Sequence, residues 1–520
     1  MTLLTARLAP FAWVVLAGLG QALSIGAPWS GRPLWWLQVA SLAVLAWQLQ
    51  QPGSRRRGAL LGWAFATAWL CGTFWWLFIS LHNYGGLAAP LAMLAVFGLA
   101  VFLSSYYALA CGVFLALAGT GWARGAFIFS SLWLVAELMR VTWFTGFPWG
   151  AGGYAHVDGP LAFLAPYAGV HVIGWVAALL AFGVSLAARR GTLKSPRYWA
   201  IAAVAVGLLA LGNLAMPGEN PQSQGQRLSV SLLQGNIPQD EKFRSRTGVP
   251  LALAWYSEQL RQSTASLVVT PETAIPLLPK QLPDGYLTEF GRLVADGTRA
   301  ALIGIPLGSF SEGYTNSVIG LKAGAGVYRF DKHHLVPFGE FIPPLFKWFT
   351  EMMNIPLGDF NRGAVGQPSF EWQGQRLAPN ICYEDLFGEE LGARFRDPAK
   401  APTIFVNASN IGWFGDTVAI DQHLLISRMR ALEFERPMIR ATNTGATVII
   451  DHRGRVTHAL PRHTRGVLNG AVEGRTGITP YAWWVSRFGL WPLWGSAIAI
   501  VLVAAAARRI NRCSPSSKSS

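Results

Sequence analysis

Of the 27 acidic residues in the chain, only Glu137, Asp158 and Glu219 lie before residue 225. The same stretch is a succession of apolar runs, and about 20 apolar residues suffice for a helix to cross a bilayer core. A segment so poor in negative charge and so rich in such runs does not fold as a water-soluble globule. Composition agrees: 52% of the 520 residues are hydrophobic and 13% charged, about half the charged fraction of a soluble protein. Beyond residue 225 the composition becomes that of an ordinary globular domain. Neither low-complexity tracts nor heptad arrays occur, so disorder and coiled coil are excluded as the main architecture.

The apolar runs fall near 8–26, 33–49, 58–80, 87–118, 125–142, 160–187 and 199–216, with an eighth near 481–507. They predict a multispan membrane domain of about eight transmembrane helices, the fourth run being long enough to tilt or break. Arg7 before the first run also allows a cleaved signal peptide, which leaves the orientation unchanged. Short loops rich in Lys and Arg stay cytoplasmic. Arg55, Arg56 and Arg57, then Arg124, then Arg189, Arg190, Lys194 and Arg197, and finally Arg508, Arg509 and Arg512 all fall on one side of this layout. Both termini are therefore expected in the cytoplasm, with the soluble block on the opposite, periplasmic face of a bacterial inner membrane. The expected divisions are a membrane domain at 1–219, a periplasmic domain at 220–478, a last spanning helix at 479–507 and a cytoplasmic tail at 508–520. The net charge of +15 sits largely in loops that set topology and meet anionic lipid, so it calls for a membrane and no nucleic acid.

The chain has four cysteines. Cys71 and Cys111 fall inside apolar runs, Cys513 in the tail, and Cys382 alone in the translocated block. In an oxidising compartment a structural cysteine normally has a partner. Cys382 has none, so it is either buried and inert or present for its reactivity.

The soluble block alternates short β-rich runs with helical patterns. Strands are predicted at Leu228–Gln234, Ser266–Thr270, Ala301–Ile305, Thr315–Leu321, Leu377–Ile381, Thr403–Val406, Met438–Thr442 and Thr447–Asp451. Helices are predicted at 250–264, 284–298 and 418–434, which together favour a layered α/β domain.

Three stretches at predicted strand ends carry unusual chemistry. Glu272 follows Val268-Val269-Thr270-Pro271, where a helix cap or a solvated loop is the plain alternative. Lys332 opens Lys332-His333-His334-Leu335-Val336-Pro337-Phe338-Gly339-Glu340, otherwise a basic turn; two adjacent histidines without further Cys or His are a weak zinc signal. Cys382 stands where an apolar strand gives way to Tyr383-Glu384-Asp385, and an inert core thiol is its alternative. A cysteine at a strand-to-helix turn meets backbone N–H groups that favour a thiolate and hold an oxyanion. A thiol nucleophile also needs a base and a fixed cation. Glu272 and Lys332 fit those needs, and strand ends on one edge of a sheet would bring them together.

These residues resemble the Glu-Lys-Cys triad of the carbon–nitrogen hydrolase (nitrilase) superfamily. With the multispan N-terminal part, the resemblance narrows to the bacterial apolipoprotein N-acyltransferases. It extends through Thr145-Gly146-Phe147-Pro148-Trp149, Gln234-Gly235-Asn236-Ile237-Pro238-Gln239, Trp413-Phe414-Gly415-Asp416 and Arg428-Met429-Arg430-Ala431-Leu432-Glu433, and so covers essentially the whole chain. The resemblance implies a nitrilase-like αββα sandwich for the soluble block, with Cys382 as nucleophile, Glu272 as general base and Lys332 as oxyanion-stabilising cation. Glu340, Tyr383 and Glu384 match supporting positions. Phe243 stands where the family often has Trp; it, Trp149 and Phe338 are the expected substrate contacts. The implied reaction takes an acyl chain from a phospholipid onto Cys382 as a thioester, then passes it to the α-amine of the diacylglyceryl-cysteine of an apolipoprotein. No cofactor and no metal are called for.

Phe338, Phe341, Ile342, Leu345, Phe346, Trp348 and Phe349 form an apolar run near the site, read either as a partly buried amphipathic helix or as a mobile lid or lipid-contacting arm. Within the membrane, Glu137 lies one turn before Arg140 and is expected to pair with it. So sparse an inventory of membrane charges argues against a transporter. A membrane-tethered amidase with the same triad remains the alternative reading of the motifs.

Overall fold

A computed structural model of the chain describes residues 3–119, 121–187, 194–214, 227–309, 311–342 and 359–513. The chain divides into two compact units, one of Met1–Trp75, Met93–Met216 and Leu490–Ser520, the other of Trp76–Ala92 and Pro217–Gly489.

The first unit is helical. Among the described residues, five helices are long and apolar enough to cross a membrane: Leu8–Ile25, Ala89–Leu117, Trp122–Thr145, Ala162–Ala187 and Trp491–Arg508. A sixth span arises if Arg55–Phe74 and Leu77–Tyr84, bent by 59° against each other, are taken together. Trp35–Leu49 is apolar but 15 residues long, and the helix Pro196–Leu214 stands outside this set, so the structure gives five or six such spans where eight were expected. The fourth run is one unbroken 29-residue helix. The eighth is not continuous. Gly489, at φ 53°, ends the helix Pro480–Phe488, and a new helix starts at Trp491 with Pro492 in its first turn. A left-handed glycine followed by proline is a strong helix stop and restart, and the preceding helix belongs to the second unit.

Arg140 and Glu137 form the expected ion pair, at 3.2 Å and buried. Arg140 also lies over the Trp69 ring and donates to the Trp149 carbonyl at 2.7 Å. The pair and its added hydrogen bond offset part of the cost of charge inside an apolar interior.

The second unit holds two six-stranded sheets, in the orders β12-β1-β2-β3-β4-β5 and β11-β10-β9-β8-β7-β6. The strands are β1 (Leu228–Gln234), β2 (Leu267–Val269), β3 (Ala300–Ser309), β4 (Gly313–Leu321), β5 (Tyr328–Asp331), β6 (Phe370–Trp372), β7 (Gln375–Ile381), β8 (Ile404–Ser409), β9 (Met438–Thr442), β10 (Val448–Ile450), β11 (Val456–Ala459) and β12 (Gly466–Val472). Alternation of side chains builds the layers. Val230, Leu232, Leu267 and Val269 point inward and pack with Leu377, Ile381, Ile404 and Val406 of the facing sheet. Leu233 and Val268 point outward, against Tyr256 and Leu260 of the helix Gly248–Gln262 and Phe290 of Tyr286–Leu293. Outside the other sheet, Phe434 of the helix Ala419–Phe434 packs on Phe405. The result is a two-sheet α/β fold with helices on both outer faces.

The strands β1, β2 and β3 run parallel, as do β7, β8 and β9, and β5 is antiparallel to β4, which is antiparallel to β3. The C-terminal ends of β2 and β5 therefore lie on the same edge of the first sheet. Trp76–Ala92, expected as the end of a span and a short loop, is part of this unit. Trp76 Nε1 donates to Gln422 Oε1 at 3.1 Å, the Trp76 ring lies 4.3 Å from that of Phe414, and Tyr84 meets Trp413 edge-on.

Candidate active site

Glu272 follows β2 in a turn that presses against β3. Thr270 Oγ1 accepts from the Gly304 N–H at 2.9 Å, and a Cβ at Gly304 would sit 2.1 Å from the Pro271 oxygen and 3.0 Å from the Glu272 Cα. Only glycine at 304 permits that approach. Thr273, at φ 49°, completes the turn that aims the carboxylate inward.

The Glu272 carboxylate is fully engaged. Oε1 accepts from Asn316 Nδ2 at 2.7 Å and from Lys332 Nζ at 3.2 Å, and Oε2 accepts from the Asn410 N–H at 2.8 Å. Burial alone would raise its pKa, but the charges of Lys332 and Lys242 and the Asn316 bond overcome it and hold the carboxyl below its ordinary value. Lys332, just past β5, is 1% exposed and also meets Glu340 at 2.8 Å. Burial opposes its charge, yet the two carboxylates prevail and raise its pKa, so it is an ammonium at every working pH. Asn316 on β4 bridges Glu272 and Glu340, at 2.7 Å to each.

Cys382 directly follows β7 of the other sheet, opening a short helical turn, and stands at φ 52°. The triad positions thus come from facing sheets, two from one and one from the other, and not from one sheet edge. A left-handed conformation at a non-glycine residue is strained and persists only when its surroundings hold it. Here the hold is on the Cys382 carbonyl, which accepts from His423 Nε2 at 3.1 Å and from Asn407 Nδ2 at 3.3 Å. His423 is itself bound to Asp385 Oδ1 at 2.9 Å and accepts at Nδ1 from Arg440, which assigns the proton to Nε2. Asp385, His423, Ser427 and Arg440 are all buried.

The thiol lies against the Ser409 side chain and the Asn410 N–H, the latter also bound by Glu272. Burial pushes the thiol up to about 12; the Glu272 charge adds to the rise, and Lys332, Ser409 and Asn410 counter it in part. The resting pair is therefore a protonated thiol beside an ionised carboxylate, the arrangement of a nucleophile and its base.

Glu384 ties the two motifs together. Its Oε1 accepts from the His333 and His334 N–H groups and its Oε2 from the Ile381 N–H, which links the residues after Lys332 to those before Cys382. Burial pushes its pKa up to about 7 against the Ile381 and His333 bonds and the Lys332 charge. Tyr383 is buried against Phe387 and His334. His334 is bound to Glu390 at 2.9 Å and stacks on Phe387. Phe243 and Phe338 are half-buried, with Phe338 at φ 63°. Trp149 is buried within the first unit. Of the apolar run, Leu345, Phe346, Trp348 and Phe349 lie outside the described residues.

Residues 17–183 match the apolipoprotein N-acyltransferase N-terminal domain and residues 229–481 the carbon–nitrogen hydrolase domain. The chain is 61% identical over 499 residues to the apolipoprotein N-acyltransferase of Verminephrobacter eiseniae, covering 92% of this chain and 93% of that one. The chain belongs to the apolipoprotein N-acyltransferase family. It is also 45% identical over 479 residues to the family member of Ralstonia nicotianae, covering 91% and 90% of the two chains. Among solved structures it is similar to a carbon–nitrogen hydrolase from Helicobacter pylori, at 17% identity and a TM-score of 0.35 over 52% of this chain and 94% of that one. As a member of this acyltransferase family, the chain has its catalytic chemistry in the carbon–nitrogen hydrolase domain.

Sequence reasoning overlooked Asn316, Asn410, Lys242 and the His423 network, which touch Glu272 or Cys382. A signal existed for the first two. Thr315-Asn316-Ser317 is a polar run inside a strand, and Asn407 to Asn410 ends β8 on buried polar side chains. Polar residues at apolar strand positions need partners, and here the partners are the site.

Proposed function

We propose that this enzyme N-acylates the diacylglyceryl-cysteine at the N-terminus of apolipoproteins, the last step of lipoprotein maturation, with a membrane phospholipid as acyl donor. The observation that carries the reading is the ionised Glu272, held by Lys332, Asn316 and the Asn410 N–H, beside the Cys382 thiol in a member of this family.

Glu272 takes the Cys382 proton while the sulfur attacks an ester carbonyl of the phospholipid. Lys332 and a backbone N–H, that of Tyr383, hold the tetrahedral oxyanion. The C–O bond breaks, the proton on Glu272 passes to the departing alkoxide, and a lysophospholipid leaves a thioester on Cys382. The α-amine of the acceptor cysteine then attacks the thioester, Glu272 takes its proton and returns it to the sulfur, and an amide results. The thioester suits the second step because it yields to amines more readily than an oxygen ester. Glu340 holds Lys332 and Glu384 holds the two motifs in register. Phe243 and Phe338 supply lipid contact.

Both substrates are lipids, which suits an inner-membrane enzyme whose catalytic domain is periplasmic, is joined to membrane helices at both its ends and leaves both termini in the cytoplasm. The divisions at 219, 478 and 507 belong to the same proposal. Intact mass spectrometry of purified protein incubated with phospholipid alone tests the chemistry. An acyl adduct on wild type, absent from Cys382→Ala, is expected together with lysophospholipid. No adduct and hydrolysis of a soluble amide instead would establish a membrane-tethered amidase.

A further inference from the structure

The loop after β1 brings a second lysine to the site. Lys242 is 2% exposed, and its Nζ donates to the main-chain oxygen of Glu272 at 3.0 Å. The loop is firmly placed. The Lys242 N–H donates to the Pro238 oxygen at 3.0 Å, and a Cβ at Gly248 would lie 2.0 Å from the Glu241 oxygen and 3.0 Å from the Lys242 Cα. Asn443 grips Ile237 through both its amide atoms, and Asn410 Nδ2 donates to Gln239 Oε1 at 2.8 Å. Asn410 is the residue whose N–H lies between Glu272 and the thiol.

One backbone carbonyl does not explain a buried ammonium. A neutral amide or hydroxyl would satisfy that oxygen without the cost of removing a charge from water, which amounts to several kcal/mol. What a lysine adds is its charge, and the charges around Cys382 show the need for it. Glu272 and Glu340 face the single ammonium of Lys332. Without another cation this group carries one excess negative charge before reaction, and still carries it once Glu272 is protonated and an oxyanion has formed. With Lys242 the group is neutral in both states.

We infer that Lys242 is a positioning residue of the acyl-transfer reaction, fixed on the Glu272 carbonyl so that its ammonium offsets the negative charge that passes from Glu272 to Cys382 and the tetrahedral oxyanion. This rests on the proposed acyl transfer. Lys242 moves no proton in it; the proton still travels from Cys382 to Glu272 and on to the leaving alkoxide. Burial pulls its pKa down to about 8, against the raising effect of the Glu272 and Cys382 charges. The Phe243 ring lies 5.9 Å from Nζ, and the charged groups beyond Glu272 are Lys332, which meets its carboxylate, and Glu340, which shares the Lys332 ammonium. The ammonium is present below about pH 8 and lost above it, so its assistance fades as pH rises through that value.

The test is acyl-enzyme formation on the full-length protein in detergent micelles with phosphatidylethanolamine, followed by mass spectrometry from pH 6.5 to 9.5. Wild type is expected to slow above about pH 8, Lys242→Arg to keep its rate through pH 9, and Lys242→Met to be about 10- to 100-fold slower at pH 7 without an alkaline decline. A Lys242→Met rate equal to wild type, or an alkaline decline that persists in Lys242→Arg, would overturn the inference. Should the Met variant fail to fold, the comparison of wild type with the Arg variant decides alone. Alkylation of Cys382 by iodoacetamide, mapped by peptide mass, is run in parallel and needs no phospholipid. If wild type alkylates about tenfold faster than Lys242→Met at pH 7 but no protein takes an acyl group, the acyltransferase reading fails and the charge role of Lys242 stands.

Discussion

Lys332 Nζ and Glu272 Oε1 meet at 3.2 Å with their side chains 1% and 9% exposed. Removing Lys332 from so buried a pair leaves the Glu272 and Glu340 carboxylates with Lys242 as the remaining ammonium beside Glu272, a loss of about 3–5 kcal/mol. The loss is compounded here because Glu340 shares the same ammonium. Lys332→Met is therefore expected to lower the thermal midpoint and to slow acyl-enzyme formation by about 10²–10³-fold, the scale of a lost oxyanion donor. A variant that keeps wild-type acylation, measured by adduct mass, would remove Lys332 from the mechanism.

Glu272 raises the pKa of the very thiol it is proposed to deprotonate, since its negative charge disfavours a second one nearby. The sign follows. Glu272→Gln removes that charge, so the thiol pKa falls from about 12 and more thiolate is present at pH 8. Iodoacetamide should alkylate Cys382 faster in Glu272→Gln than in wild type, while acyl transfer, which needs the base, is lost. Slower alkylation in the variant would show that proton transfer to Glu272, and not its field, governs the thiol.

The carbonyl of Cys382 is held by His423 and Asn407, and that hold keeps the residue at φ 52°. His423→Phe deletes one of the two donors to that carbonyl and the bond to Asp385, and is expected to slow acylation by about 10- to 100-fold, corresponding to about 1–3 kcal/mol for buried acceptors left short of a partner. Cys382 should remain open to alkylation. His423→Gln, which can still donate, should recover part of the rate. Acylation at the wild-type rate in the Phe variant would show that the turn holds itself.

Orientation is tested at Cys513. A thiol reagent that cannot cross the membrane should leave it unlabelled in intact cells and label it in inverted vesicles. Labelling from outside would reverse the proposed topology.

Acid distribution and strand pattern made much of this protein legible from sequence. The β1 and β9 ranges read from the sequence coincide with those observed, because Leu228–Gln234 and Met438–Thr442 are compact apolar runs bounded by turn residues. The strands β5, β6, β11 and β12 escaped notice. The first two are short, with Tyr328–Asp331 inside a charged motif; Val456–Ala459 is exposed along its whole length, and Gly466–Val472 contains two glycines. Hydropathy also ran through Gly489 and Trp75, where backbone geometry breaks the helices.

The sequence by itself determined the chemistry on offer: an unpaired cysteine, a carboxylate and a lysine, each at a strand end, in a chain anchored in a membrane. Motif spacing could not say which groups surround them. Tertiary structure decided that Cys382 faces Glu272 and Lys332 from a second sheet, that Asn316 and the Asn410 N–H hold the carboxylate, and that Lys242 binds the Glu272 main-chain oxygen. The reason is physical. Side-chain type sets what a residue can donate or carry, but pKa, charge balance and strain depend on neighbours hundreds of positions away, and folding alone places them within about 3 Å.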